Sequence, residues 1–372
     1  MSPTSRKSPA ARTGNGGDVE SQLNAIEQDG GDGNIEFEHG SRLHVSSLDK
    51  VYFPKIGVTK GALMRYYARI WPALQPHVED RPLVLKRYPD GVGGQIFFQQ
   101  NAGTHVPAGV RVETLNTVDE GPKPRIIGGD LLTLLYTTQL GAIEVHPWLS
   151  RLPEADFADR CLIDLDPDDG VPFSSVVALA RDVRAIAAQC ALPIALKTSG
   201  SSGIHLVIPL PPRTSYDTSA QLALLIARAT TAHRPELATV ERSKNARPKG
   251  TIYVDPMQNS RGKSMACAYS VRARDDATVS APLRERELTS KLRTETFSIK
   301  TMPSRIARTG DLWSEALHER PSAKIIRNAM TALARVLDDA SEATKPTREV
   351  KRSRSGGESA GTVPGRQRAQ RA

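Results

Sequence analysis

Apolar residues recur along this chain at two spacings, and their alternation outlines the elements. After Thr59, Leu63, Tyr66, Tyr67, Ile70 and Leu74 fall at helical intervals, which predicts a helix capped by Thr59 with one buried face. Val176, Val177, Ala180, Val183 and Ala187 repeat that pattern, and a further helix is predicted from Ala220 to Thr230. Short apolar runs at Leu83–Leu85 and Ile96–Phe98 read as strands around the turn Pro89-Asp90-Gly91. Asp130 is placed to cap a helix ending near Gly141, followed by a strand from Ile143 to His146. Cys161-Leu162-Ile163 reads as a buried strand. Further strands are expected at Ile194–Lys197, Ile204–Ile208, Thr251–Val254 and Ala266–Val271, with a last helix closing near Asp338. Hairpin-like pairs are mixed with crossovers, so α+β fits better than a doubly wound sheet. Residues 1–40 are rich in Gly, Ser and Asp, and residues 341–372 interleave Arg and Lys with Ser, Gly and Gln. Neither stretch has the apolar content to build a core, so both are expected to be disordered tails around a folded domain at 41–340.

Charge sharpens this outline. The 372 residues carry a net charge of +9, which suits a polyanionic partner. The basic C-terminal stretch reads equally as a nonspecific DNA arm and as a solvated tail. No apolar run approaches the roughly 18–20 residues of a membrane span, and no apolar stretch follows Arg6, Lys7 and Arg12, so neither a membrane nor a secretory route is expected. Cys161, Cys190 and Cys267 are far apart without a Cys-x-x-Cys, which points to a reducing cytoplasm and away from structural zinc.

The chemistry concentrates at strand ends. Asp164 and Asp166 alternate on one strand and so share a face, and Pro167 puts the pair at the rim of a sheet. Carboxylates so close repel unless cations lie between them, and an all-oxygen site suits Mg²⁺ or Mn²⁺. Asp-Leu-Asp-Pro-Asp-Asp-Gly is also a good surface turn. Val254-Asp255-Pro256 repeats the arrangement, and a third carboxylate would complete a two-metal cradle. Thr198-Ser199-Gly200-Ser201-Ser202-Gly203 can turn several amides toward an anion without being a Walker loop, and His205 follows on the next strand. An ordinary turn is the competing meaning of that loop. His146-Pro147-Trp148 marks another strand end.

In this order, the segments resemble the polymerase domain of bacterial ligase D, of the archaeo-eukaryotic primase superfamily, which serves nonhomologous end joining. The resemblance runs from about Leu43 to Trp313. It rests on Leu48-Asp49-Lys50-Val51-Tyr52-Phe53-Pro54, Val58-Thr59-Lys60, Leu85-Lys86-Arg87-Tyr88-Pro89, Phe97-Phe98, His146-Pro147-Trp148, Asp164-Leu165-Asp166-Pro167, Lys197-Thr198-Ser199-Gly200-Ser201, His205, Val254-Asp255 with Gln258-Asn259, and Tyr269-Ser270-Val271-Arg272. It implies a primase-like core and a template-dependent polymerase that extends 3′ ends at DNA breaks or short gaps. Asp164, Asp166 and Asp255 would hold two Mn²⁺ or Mg²⁺ ions. His146, Ser199, Ser201, Ser202, His205, Lys86, Arg272 and Gln258 would meet the incoming NTP or dNTP. Phe97 and Phe98 would stack on bases, Lys50 and Lys60 would grip a 5′-phosphate, and Lys244 and Arg247 would lie along the DNA. It allows Ku and a separate DNA ligase as partners and a place at the bacterial nucleoid, and the lack of a ligase Lys motif makes a stand-alone module the expectation. Two departures stand out: Ser202 and Gln100 occupy positions where well-known members often carry Lys. A noncatalytic end-binding factor and a two-metal nuclease are the alternatives that the three carboxylates leave open.

Overall fold

The structure, a computed structural model, describes residues 16–117 and 121–343. The expected disorder of residues 1–40 does not hold from Gly16 onward. Val19 and Leu23 lie four apart on helix α1 (Gly16–Gln28) and are buried against α2, to which Glu20 and Glu27 pair with Arg69 and Arg65. Strands β1 (Gly33–Glu36) and β2 (Arg42–Val45) form an antiparallel pair that buries Ile35, Leu43 and Val45. This segment folds because α2, far along the chain, supplies the apolar surface that its polar composition conceals. The expected basic tail from 344 onward lies outside the described residues.

Strands β3 (Val51–Phe53) and β4 (Val58–Thr59) lead into α2 (Lys60–Val78), where the Thr59 hydroxyl accepts a hydrogen bond from the Ala62 amide at 3.0 Å. Next come β5 (Leu83–Arg87), β6 (Phe97–Gln99), β7 (Val112–Thr117) and β8 (Gly121–Ile126), then α3 (Leu131–Gln139) and β9 (Ala142–Pro147). Asp130 caps α3 by accepting from the Thr133 amide at 2.6 Å. Strands β6, β5 and β9 make a three-stranded antiparallel sheet, in that order.

The second half is built on β10 (Phe157–Pro167), α4 (Phe173–Gln189), β11 (Ala195–Thr198), β12 (Ile204–Ser215), α5 (Tyr216–His233), β13 (Ala238–Thr239), β14 (Ile252–Asp255) and β15 (Pro282–Leu283). These strands form a six-stranded sheet in the order β13-β14-β10-β12-β11-β15, antiparallel except between β13 and β14. Helices α4 and α5 pack on β10 and β12. The strand predicted over Ala266–Val271 is absent. Tyr269 turns through a positive φ of 67°, a conformation that breaks a pleat, and the backbone there bonds irregularly to Val145 and Ser280. Helices α6 (Met302–Thr309), α7 (Leu312–Ala316) and α8 (Ala323–Ala343) complete the fold, with α8 running past Asp338 onto α5. Mixed helices and mostly antiparallel sheets make this an α+β protein.

Candidate active site

Alternation along β10 decides which way its carboxylates point. Cys161 faces α5, where its Sγ donates to the Ser219 carbonyl, so Asp164 and Asp166, at the opposite parity, face away from the helices. Register then brings residues from four strands into one row. Asp164 lies directly opposite Asp255 of β14 on one side and His205 of β12 on the other, and Lys197 of β11 lies opposite His205. Directly opposed residues share a face with Cβ atoms about 5 Å apart, so the three carboxylates converge across the sheet. Asp255 is held in place: one oxygen accepts from the Tyr253 hydroxyl (3.1 Å) and the Met257 amide (2.7 Å), and the other from Gln258 (3.1 Å).

Electrostatics marks Asp164 as the crowded member. Burial, then the charges of Asp166 and Asp255, push its carboxyl up to about 7. The donors here are all oxygen, the ligand type that divalent cations such as Mg²⁺ and Mn²⁺ take, and a positive charge beside them would remove the repulsion. His205 Nε2 is 3.4 Å from Asp164 Oδ1, and Nδ1 is 2.6 Å from Lys197 Nζ. Lys197 is fully buried and also donates to the Ser280 hydroxyl at 2.7 Å. Burial, then the Arg272 charge, lowers its ammonium to about 7. Burial and the Lys197 charge hold His205 well below the usual imidazole range, so it is neutral. A Lys197 ammonium donating to Nδ1 would leave the ring proton on Nε2, on the side of Asp164.

The Ser/Gly loop between β11 and β12 lies against these carboxylates. The Ser199 hydroxyl accepts from the Ser201 and Gly203 amides, both at 3.1 Å, so Ser199 closes the loop on itself. A Cβ at Gly203 would stand 2.2 Å from the Leu165 carbonyl, between the two Asp residues of β10, and only glycine allows that approach. At Gly200, with φ +72°, a Cβ would stand 2.6 Å from the Arg272 side chain. Ser201 is half-buried and Ser202 exposed.

Arg272 joins this loop to the second sheet. It donates to the Ser199 carbonyl and, at 2.9 Å, to Glu144, a buried residue of β9. Glu144 also accepts from His146 (2.7 Å) and lies 3.5 Å from Lys86. Burial would raise this carboxyl, but His146, Arg272 and Lys86 outweigh it and hold it below the usual range. Thus His146, Lys86 and Arg272, far apart in sequence, are gathered by one acid. Neither Glu144 nor Lys197 stands out as a site residue in the sequence. The available signal for Glu144 was its place two residues before His146, on the same strand face.

Phe97 and Phe98 stand on edge strand β6 and are exposed, Phe98 to 73%, with Lys86 Nζ 6.0 Å from its ring centre. Gln100 accepts from Arg125 at 3.0 Å. Arg247 lies 3.6 Å from Asp166 and stacks 4.0 Å over Tyr253, whereas Lys244 is an exposed neighbour on the same loop. Lys50 and Lys60 form a separate pair. Lys50 is partly exposed and bonds Asp90 at 2.8 Å, whereas Lys60 is buried, donates to the Ser46 carbonyl at 2.9 Å and is lowered to about 8 by burial and by Lys50. The three cysteines are free thiols. Among the described residues no helix is long and apolar enough to cross a membrane.

The family described as LigD, primase-polymerase domain, matches residues 59–313. The chain is 32% identical over 266 residues to the multifunctional non-homologous end joining protein LigD of Pseudomonas aeruginosa, covering 71% of this chain and 31% of that protein. It is likewise 32% identical over 271 residues to the bifunctional LigD of Bacillus subtilis, covering 72% and 43% respectively. The chain thus spans less than half the length of these relatives. A solved structure of the polymerase domain from Mycobacterium tuberculosis ligase D in complex with DNA superposes with a TM-score of 0.70 at 32% identity, covering 76% of this chain and all of that one. With its family match extending over most of the folded region, and its fold shared with a member solved on DNA, this chain belongs to the LigD primase-polymerase family.

Proposed function

We propose that this chain is a template-dependent nucleotidyltransferase that extends a 3′-OH at DNA breaks or short gaps during nonhomologous end joining. The observation that carries the reading is the direct pairing of Asp164 with Asp255 beside a glycine-tight Ser/Gly loop. Polymerase domains of this family depend on metal, and Asp164, Asp166 and Asp255 would hold two Mn²⁺ or Mg²⁺ ions. Such ions supply charge neutralisation for in-line attack on the α-phosphate. The protein's own groups do the positioning. Ser199, Ser201 and Ser202 of the loop, with neutral His205, would meet the triphosphate, while Arg272 and Lys86 would face it from the other sheet, braced by Glu144. His146, on the same acid, and Gln258, beside Asp255, border the nucleotide. The site would take an NTP or dNTP, with Ser202 leaving the cradle one cation short of well-known members.

DNA would lie along Phe97, Phe98, Lys244 and Arg247; the solved neighbour is a complex with DNA. Phe98→Ala should weaken template binding by roughly 1–3 kcal/mol while leaving the unfolding temperature unchanged, as anisotropy and calorimetry would show. Lys50 and Lys60 would hold a 5′-phosphate. Their double replacement by Ala should lower affinity for a 5′-phosphorylated gap about tenfold and spare the unphosphorylated one. Because Lys60 loses its proton near pH 8, the preference for the phosphorylated gap should fade between pH 7 and 9. Equal loss on both DNAs would point to nonspecific charge. Ku and a separate ligase are the partners this role needs, in the cytoplasm at the nucleoid.

One assay tests the whole: primed, gapped DNA labelled on the primer, with Mn²⁺ and NTPs or dNTPs. Longer product supports the proposal. A shortened primer would make the chain a nuclease, and an unchanged but shifted band a binding factor.

A further inference from the structure

A second charged cavity, of about 170 Å³, opens at the other end of β10. Its wall includes Arg160, which shares the face of Asp164 four residues earlier, roughly 13 Å along the strand. His77, Arg151, Asp159 and Arg320 complete the charged lining.

The charges here do not balance. Asp159 is claimed by Arg81, whose two nitrogens meet its oxygens at 2.9 and 2.5 Å, and by Arg151 at 3.5 Å. Arg151 donates further to the Glu79 and Pro76 carbonyls. His77 is tied to Asp311 at 2.9 Å. Arg160 has only the charge of Asp159, already shared with Arg81 and Arg151, to offset its own. It is only 4% exposed, and its Nη1 has no hydrogen-bond partner among the described residues. A buried guanidinium that shares its one nearby carboxylate with two other arginines is costly to keep, and a further counter-ion lowers the cost. The guanidinium fork suits an oxyanion in particular. The space is smaller than the roughly 300 Å³ at which drug-sized ligand pockets begin, so it admits a phosphate group and excludes a nucleotide.

We infer that this cavity binds a small tetrahedral oxyanion of the phosphate class, held by Arg160 with Arg151 and Arg320 at its mouth. Nothing in the inference depends on polymerase activity.

Crystals of the full chain soaked in selenate test it, because the anomalous signal of selenium separates this cavity from the Ser/Gly loop, which also attracts anions. A peak among Arg151, Arg160 and Arg320 is expected, absent in Arg160→Gln. Calorimetric titration of inorganic phosphate should show a binding event that this variant weakens about tenfold, with primer extension unaffected. Should Arg160→Gln fail to fold, exposed Arg320→Gln is expected to weaken the same event. No selenium peak in the cavity, or a peak undiminished in the variants, would overturn the inference.

Discussion

Asp164→Asn should cut primer extension by about a thousandfold or more, while gapped-DNA binding measured by anisotropy stays within twofold. Loss of this size is typical when one group that stabilises charge in a transition state is removed. Extension that survives the substitution would refute the acidic row as the catalytic centre. The same variant carries an opposite signature in stability. The folded Asp164 carboxyl titrates near 7, above its usual value near 4. The native protein therefore keeps a proton that the unfolded chain releases between about pH 4 and 7, and metal-free wild type loses stability as pH rises through that window. Asn carries no such penalty. After allowance for the solvent-facing side of the carboxylate, the variant should be more stable than wild type at pH 8 by about 1–3 kcal/mol without metal. Manganese should raise the unfolding temperature of wild type and leave the variant nearly unmoved. An equal manganese shift in both proteins would place the ions elsewhere.

Lys197→Met should slow extension about 10- to 100-fold, the range seen when a group that orients a metal-site ligand is lost. Lys197 positions His205: its Nζ sits 2.6 Å from Nδ1, where a donating ammonium would hold the ring proton on Nε2. Its buried ammonium is depressed to about 7, below the ordinary value near 10.4. The unfolded chain thus binds a proton that the folded one lacks between about pH 7 and 10, and wild-type stability rises with pH there. Methionine abolishes that dependence. A variant that is slower yet no less stable at pH 7, with changed ¹⁵N shifts for His205, is the expected result. A parallel fall in stability and activity, with the imidazole shifts unchanged, would reduce Lys197 to packing.

Some of this was legible one residue at a time. The Thr59 and Asp130 caps, the helical spacing of Leu63, Tyr67 and Ile70, and the shared face of Asp164 and Asp166 all follow from local rules with periods of 3.6 and 2. Where local rules misled, longer-range packing had overruled them. Residues 16–28 look too polar to fold until α2 covers Val19 and Leu23. Ala266–Val271 has strand composition, but its backbone is turned at Tyr269 to deliver Arg272 to Glu144 and the Ser199 carbonyl.

The chain by itself determined the element types, the acidic pair on one strand face, the glycine-rich loop and the basic overall charge, since each depends on neighbours within a few residues. Only the tertiary structure decided that Asp255 and His205 flank Asp164, that Glu144 gathers His146, Lys86 and Arg272, and that Arg160 is buried beside a carboxylate already shared by two other arginines. Those facts depend on strand order and register, which link residues up to 128 positions apart through interactions that no local pattern encodes.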